Sequence, residues 1–354
     1  MAKRALLMVS VAAAACGLVA SHAWGDGFGV TGSASGVGVG GSPYRYVALS
    51  PRSTPRVTVV ERIERDGGKI DRWWYLPGDY YVPAVAYDRS AGGLSADGGT
   101  LVLTQFSPAY PPKRTRLAVL DTGVHLRHPR RPRQSRPAHA IRRLHLDGSF
   151  SFDAISPDGS TIYLIHNLFS RGRPSGYEVR ALDTASGRLL QEPIVDPAEP
   201  DEQMQGLPIT RASSPDGRWA YTLYDGNGDE PFIHALDTVR GRAVCIDLPQ
   251  LKDRRNLFLL KMRLAPGGGE LDVFSNSTVQ GAAPSPPLLS VDTKTFAVRR
   301  RPSPLASASS QGPPWLPIGI AAAILAAALI GILGWRKRNG GLAAAGAGTR
   351  LGPR

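Results

Sequence analysis

The sequence predicts an all-β domain built as a β-propeller of about five four-stranded blades, followed by one C-terminal transmembrane helix. Three observations carry this. A tight-turn motif recurs four times, an Asp-ended strand recurs at a near-constant period, and a single long uncharged apolar stretch lies close to the C-terminus.

The chain opens as an export signal does. Lys3 and Arg4 precede an apolar run over residues 5–20, and Ser21, His22 and Ala23 offer small residues for cleavage. Residues 1–23 are therefore expected to be a signal peptide. Retention as an uncleaved anchor and lipidation at Cys16 are the alternatives. Residues 24–43 are a Gly/Ser-rich linker, and residues 302–315 are a Pro/Ser-rich stalk. From Pro302 to Trp335 there is no charged residue, and residues 316–335, from Leu316 to Trp335, are mostly Ile, Leu, Ala and Gly. At about 1.5 Å per residue such a helix covers a hydrocarbon core of roughly 30 Å. Trp315 and Trp335 bracket it at the interfaces, and Arg336, Lys337 and Arg338 follow as a cytoplasmic stop. Both basic flanks belong inside, so the domain between them is expected outside. Residues 336–354 then form a short basic cytoplasmic tail.

Residues 44–301 carry the repeat. Ser95-Ala96-Asp97-Gly98, Ser156-Pro157-Asp158-Gly159, Ser214-Pro215-Asp216-Gly217 and the degenerate Ala265-Pro266-Gly267-Gly268 each precede an apolar strand. Proline presets φ, Asp bonds its own turn and Gly accepts positive φ, so each motif is a hairpin turn. A second strand then ends in Asp121-Thr122, Asp183-Thr184, Asp237-Thr238 or Asp292-Thr293, with Asp66-Gly67 as a degenerate first copy. Asp66, Asp121, Asp183, Asp237 and Asp292 stand 55, 62, 54 and 55 residues apart. Two signatures in fixed order, with four short strands per period, describe a propeller blade rather than a helical solenoid. The first unit shows no obvious innermost strand.

At these residues the chain resembles the bacterial WD40-like and YVTN-type β-propeller repeat families. The resemblance implies fold and leaves activity open, because that architecture carries lactonases, dehydrogenases, translocation partners and binding modules. If strands run A to D from the axis outward, both turn signatures share one face. The long connections 75–93, 167–178, 191–205 and 224–232 then fall on the other, which is where a ligand site is expected.

The 42 basic residues exceed the 29 acidic ones, but most of the basic residues are arginine, and export argues against nucleic acid as a partner. Between Asp121 and Asp147 lie seven arginines and no acid; Pro129, Pro132 and Pro137 make this an exposed loop. Arg127, Arg130, Arg131, Arg133 and Arg136 are candidates for docking onto an anionic envelope component, the alternative being a solvated loop. After signal removal Cys245 is the one remaining cysteine, so no intramolecular disulfide forms, and its alternating strand context predicts a buried structural thiol. His166 and His234 are expected to be packing residues. Asp225, Asn227 and Asp229 place oxygens at positions 1, 3 and 5 of a calcium-type loop, but the continuation at positions 6 and 12 is missing. Calcium binding and a plain Asn-Gly turn both remain open.

No catalytic constellation and no other cofactor motif stands out. The pattern favours an extracytoplasmic, membrane-anchored binding or protein-interaction module. A propeller enzyme of lactonase or oxidoreductase type and a structural spacer in an envelope complex are the alternatives. Several carboxylates converging at the channel mouth would favour the enzyme, and a plugged mouth would favour binding.

Overall fold

The computed structural model describes residues 32–301, apart from 34, 52–54, 125, 127–139, 202, 255 and 277–284. The expected signal peptide, stalk, transmembrane helix and tail lie outside the described residues, as do Arg127, Arg130, Arg131, Arg133 and Arg136. Among the described residues no helix is long and apolar enough to cross a membrane.

Five antiparallel sheets follow one another along the chain, each made of consecutive strands in sequence order. The first contains β1 (Tyr44–Leu49), β2 (Val57–Glu64) and β3 (Ile70–Pro77). The second contains β4 (Tyr80–Tyr81), β5 (Thr100–Gln105), β6 (Arg114–Asp121) and β7 (Ile141–Asp147). The third contains β8 (Phe150–Ile155), β9 (Thr161–Ser170), β10 (Arg173–Asp183) and β11 (Arg188–Ile194). The fourth is β12 (Pro208–Ser213), β13 (Trp219–Tyr224), β14 (Phe232–Asp237) and β15 (Arg242–Asp247). The fifth is β16 (Leu260–Leu264), β17 (Glu270–Ser275), β18 (Pro287–Asp292) and β19 (Val298–Arg300). This is the blade succession of a β-propeller. The first sheet has three strands, and the innermost position beside β1 is held by a single bridge, Val37 to Tyr46.

Buried apolar clusters lie between consecutive sheets. Trp74 and Leu76 of the first meet Leu101 and Leu103 of the second. Leu117 and Leu144 meet Phe152 and Leu164, and Tyr177 meets Tyr224. Leu223 and Ile233 meet Leu271 and Leu289. No blade buries both faces alone, so stacking supplies the apolar burial that drives folding. Among the described residues no such cluster joins the first and fifth sheets, and Leu49, Trp73 and Tyr75 of the first sheet are exposed.

The structure explains why the two turn signatures travel together. Thr122 Oγ1 donates to the Gly98 carbonyl at 2.5 Å, and Thr184, Thr238 and Thr293 donate to Gly159, Gly217 and Gly268 at 2.9, 2.8 and 2.8 Å. The turn serines stabilise the same corner: Ser95, Ser156 and Ser214 donate to Asp97, Asp158 and Asp216 and accept from the backbone two residues beyond the Gly. The threonine carbonyls then tie blades together. Arg62 donates to Thr122 O, Arg142 to Thr184 O and Tyr163 to Thr238 O, each from the preceding blade.

Two expected connections take another form. Residues 167–178 are not an irregular loop: β9 and β10 run on as one long hairpin that turns between Ser170 and Arg173. Residues 75–93 are divided among the end of β3, all of β4 and a buried hairpin described next.

Candidate functional site

The innermost strand of the second blade is interrupted. β4 stops at Tyr81, and the chain returns to its place only at Leu94, which bridges Leu101. Between them residues 82–93 leave the sheet as a strap, held to itself by an Ala84–Ala91 bridge. Val82, Ala84, Val85 and Ala86 are buried, consistent with a run of small and branched apolar residues. At the base, Gly93 takes φ +95, and a Cβ there would run into the Val102 carbonyl, so a larger residue would push the strap off the sheet.

The tip of the strap reaches two other blades. Tyr87 N–H donates to Pro208 O at 2.8 Å and Asp88 N–H to Ile209 O at 3.2 Å, both at the start of β12. Asp88 accepts from Thr210 Oγ1 at 2.6 Å, pairs with Lys261 of β16 at 3.1 Å, and accepts from Ser90 N and Oγ at 2.9 and 2.5 Å. Burial acts to raise its carboxyl pKa, but the Ser90, Thr210 and Lys261 partners outweigh this and hold it below the usual carboxylate range. Pro208 and Lys261 lie at the beginnings of their innermost strands. The strap therefore plugs the axis on the side of the long connections, the side on which a ligand site is expected from sequence.

A substantial cavity opens instead toward the turn-signature side. It has a volume of about 310 Å³ and is lined by Gly92, Ile155, Ser213, Pro215 and Trp219, among others. Asp153 of β8 and Arg211 of β12 also line it and form an ion pair, with side chains 2% and 7% exposed. Asp153 Oδ2 and Arg211 Nε have no hydrogen-bond partner among the described residues. Buried charge is tolerated when paired, and here each partner keeps unused bonding capacity. Asp153 is the only carboxylate among the described residues lining this cavity.

A polar row continues from Arg211 through the fourth blade. Arg211 faces Thr222, Thr222 faces His234, and His234 faces Cys245 in the strand register. Directly paired residues share a sheet face, so this row points into the seam with the third blade. Thr222 Oγ1 and His234 Nε2 are buried without hydrogen-bond partners there. Burial holds His234 down at about 4, so it is neutral at physiological pH, and burial raises the Tyr177 and Tyr224 hydroxyls.

The candidate calcium residues fall in a 3₁₀ turn, Gly226–Gly228, between β13 and β14. Asp225 Oδ1 accepts from Leu207 N at 2.7 Å and Asn227 N at 3.1 Å, Asn227 sits at φ +52, and Gln205 joins Asn227 to Asp229 through 3.4 Å contacts. His166 behaves as a packing residue, stacked on Phe150 at 4.4 Å and bonded to Glu178 at 3.0 Å. Cys245 is not fully buried as its strand pattern suggests: it is partly exposed and lines two cavities. Sequence reasoning also missed a grouping of Asp196, Glu199 and Cys245, whose ligand-type atoms all lie within 4.8 Å of one another. The carboxylates come from the connection after β11 and the thiol from the outer strand of the next blade. No local spacing announces it.

No family model and no curated protein matches this chain. Solved structures do resemble it. TolB from Acinetobacter baumannii is 17% identical over 73% of this chain and 58% of its own, with a TM-score of 0.32. A puromycin-hydrolysing peptidase of Mycobacterium tuberculosis is 19% identical over 73% of this chain and 37% of its own, with a TM-score of 0.37. A TolB-type structure from Agrobacterium tumefaciens is 12% identical over 73% of this chain and 81% of its own, with a TM-score of 0.35. The chain spans well under two thirds of the first two. The resemblance is one of fold, and function has to be argued from the site.

Proposed function

We propose that this protein is an extracytoplasmic binding module of β-propeller fold, held at the membrane by residues 316–335, that takes a small polar ligand in its axial cavity. The observation that carries this reading is the cavity itself: apolar and glycine-rich walls, one buried Asp153–Arg211 pair with unused bonding capacity, and a strap closing the far end. Ligand sites are concave, mostly apolar and carry a few fixed polar groups. With Arg211 already on its only described carboxylate, the cavity offers a recognition pair rather than an acid and a base.

The test is native mass spectrometry of the full chain extracted gently from its membrane. A bound small molecule is expected in the wild-type protein and absent from Ala154→Phe, which enlarges a residue lining the cavity. Equal masses beyond the substitution itself, or a ligand retained in Ala154→Phe of unchanged melting temperature, would overturn the reading. Anchoring is tested separately. Protease added to intact spheroplasts should digest the domain, and full protection of the 37.8 kDa chain would defeat the topology.

Two further contacts belong to this reading. Arg127, Arg130, Arg131, Arg133 and Arg136 would dock on an anionic envelope surface; replacing all five with Ser should abolish salt-sensitive binding to anionic vesicles. Asp225, Asn227 and Asp229 would bind calcium. Equal melting temperatures in chelator and in millimolar calcium would refute that.

A further inference from the structure

We infer that Asp196, Glu199 and Cys245 form a binding site for a thiophilic divalent metal ion of the zinc type, which His234, whose ring nitrogens lie outside the present grouping of ligand atoms, joins as a fourth donor by moving in. The thiol sulfur and two carboxylate oxygens already lie within 4.8 Å of one another. Tetrahedral metal–sulfur and metal–oxygen bonds of about 2.3 and 2.0 Å require them to close by at most about 1.5 Å. Asp196 is preset for this: its two oxygens accept from Cys245 N and Ala198 N at 2.8 Å each, leaving further lone pairs on both. A cavity of about 40 Å³ is lined by Asp196, Glu199, Cys245 and Met204, among others.

An independent observation comes from the polar row of the fourth blade. His234 stands directly opposite Cys245, is 1% exposed, and keeps a buried Nε2 with no hydrogen-bond partner among the described residues. A route inward exists as well. A second cavity, about 250 Å³, opens onto Cys245 and is lined by Asp229, Glu230 and Asp247, with no Lys or Arg among its described lining residues. Thiolate with carboxylate and imidazole suits zinc, whereas calcium and magnesium take oxygen alone. On binding, the thiol S–H bond breaks, its proton passes to solvent, and the sulfur electron pair forms the bond to the metal.

The experiment uses the full chain in detergent, reduced and stripped of metal, with zinc alone and then cobalt(II) as probes. One zinc per chain is expected, with Cys245 protected from alkylation, and cobalt should give a thiolate charge-transfer band. Losing an outer partner of a metal ligand already costs about 10–100-fold in affinity, so Cys245→Ser should cost at least about 100-fold. His234→Gln should weaken zinc at least about tenfold by the same reasoning. A wild-type cobalt spectrum without the thiolate band, or Cys245→Ser binding zinc as tightly as wild type, would overturn the site. Unchanged affinity in His234→Gln would overturn the fourth ligand. Should Cys245→Ser not fold, Glu199→Gln, which leaves the bonds from Cys245 N and Ala198 N to Asp196 in place, is expected to show the same loss, and its failure to do so would be equally decisive. Ala154→Phe should leave zinc affinity unchanged, which separates this site from the axial cavity.

Discussion

Thr210 Oγ1 donates to Asp88 Oδ2 at 2.6 Å, a bond between positions 122 residues apart that joins the second blade to the fourth. With Lys261 of the fifth blade at 3.1 Å on the same oxygen, Asp88 ties three blades at one carboxylate. Asp88→Ala should lower the unfolding free energy by about 3 kcal/mol, the lower end for breaking a buried pair, because Lys261 keeps some contact with water. Asp88→Asn should cost less, since it can still accept from Thr210. Denaturant unfolding of both variants checks this, and equal losses would show that the charge carries the whole effect and the Thr210 bond none of it.

The corner bond between the two turn signatures should be separable from side-chain packing. Thr122→Val keeps the shape but removes the donor to Gly98 O and the acceptor for Val124 N. A loss of about 1–2 kcal/mol is expected, the net bond plus the unsatisfied carbonyl. Thr184→Val and Thr238→Val should behave alike. A neutral result at all three positions would show that the Asp-Thr ending matters only as a strand terminus.

The Asp153–Arg211 pair should show opposite effects for single and double replacement. Arg211→Met leaves a buried carboxylate without its cation and should cost about 3–5 kcal/mol. Asp153→Leu with Arg211→Met should recover most of that. If the double variant were as unstable as the single one, the pair would be stabilising in its own right.

Stability should fall with acid in a defined window. His234 titrates at about 4 in the folded chain against 6.5 unfolded, because burial disfavours its charge. Between those values the unfolded state binds a proton that the folded state does not, so this contribution is fully present above pH 6.5 and lost as pH falls toward 4. The shift corresponds to about 3 kcal/mol. His234→Gln should flatten the stability profile between pH 6.5 and 4, as read from denaturant midpoints. An unchanged slope would mean that other groups titrate there. The lowered carboxyls of Asp88 and Asp237 act below this window, whereas Glu178, lowered from 4.5, begins to act at its acid edge.

Blade turns are legible in the sequence because their conformations demand particular residues. Gly98, Gly159, Gly217 and Gly268 all take φ between +70 and +76, and the serine and aspartate beside most of them close the same bonds. The strap is not legible, because residues 82–93 carry neither alternation nor a turn motif, and their burial comes from blades far along the chain. The axial pair and the Asp196, Glu199 and Cys245 grouping share that obstacle. Each joins groups from successive blades, Asp153 with Arg211 and Asp196 with Cys245, at separations set by stacking rather than by strand or turn periodicity. His234 reads correctly as buried. Its partnerless nitrogen emerges only once its neighbours across the seam are known.

Blades that touch only their neighbours would unfold as a row of domino-like units, each able to fray from an end, with stability close to a sum of pairwise terms. Asp88 changes that arithmetic. Because it bonds to Thr210 and Lys261 across the axis, the second blade cannot separate from the third without also losing its hold on the fourth and fifth. The strap turns a linear array into a cross-linked one, whose melting is expected to be a single sharp event rather than a staircase. It also makes the fold wait: the strap can find its partners only after the chain through β16 has been made, so completion belongs to the late stage of synthesis.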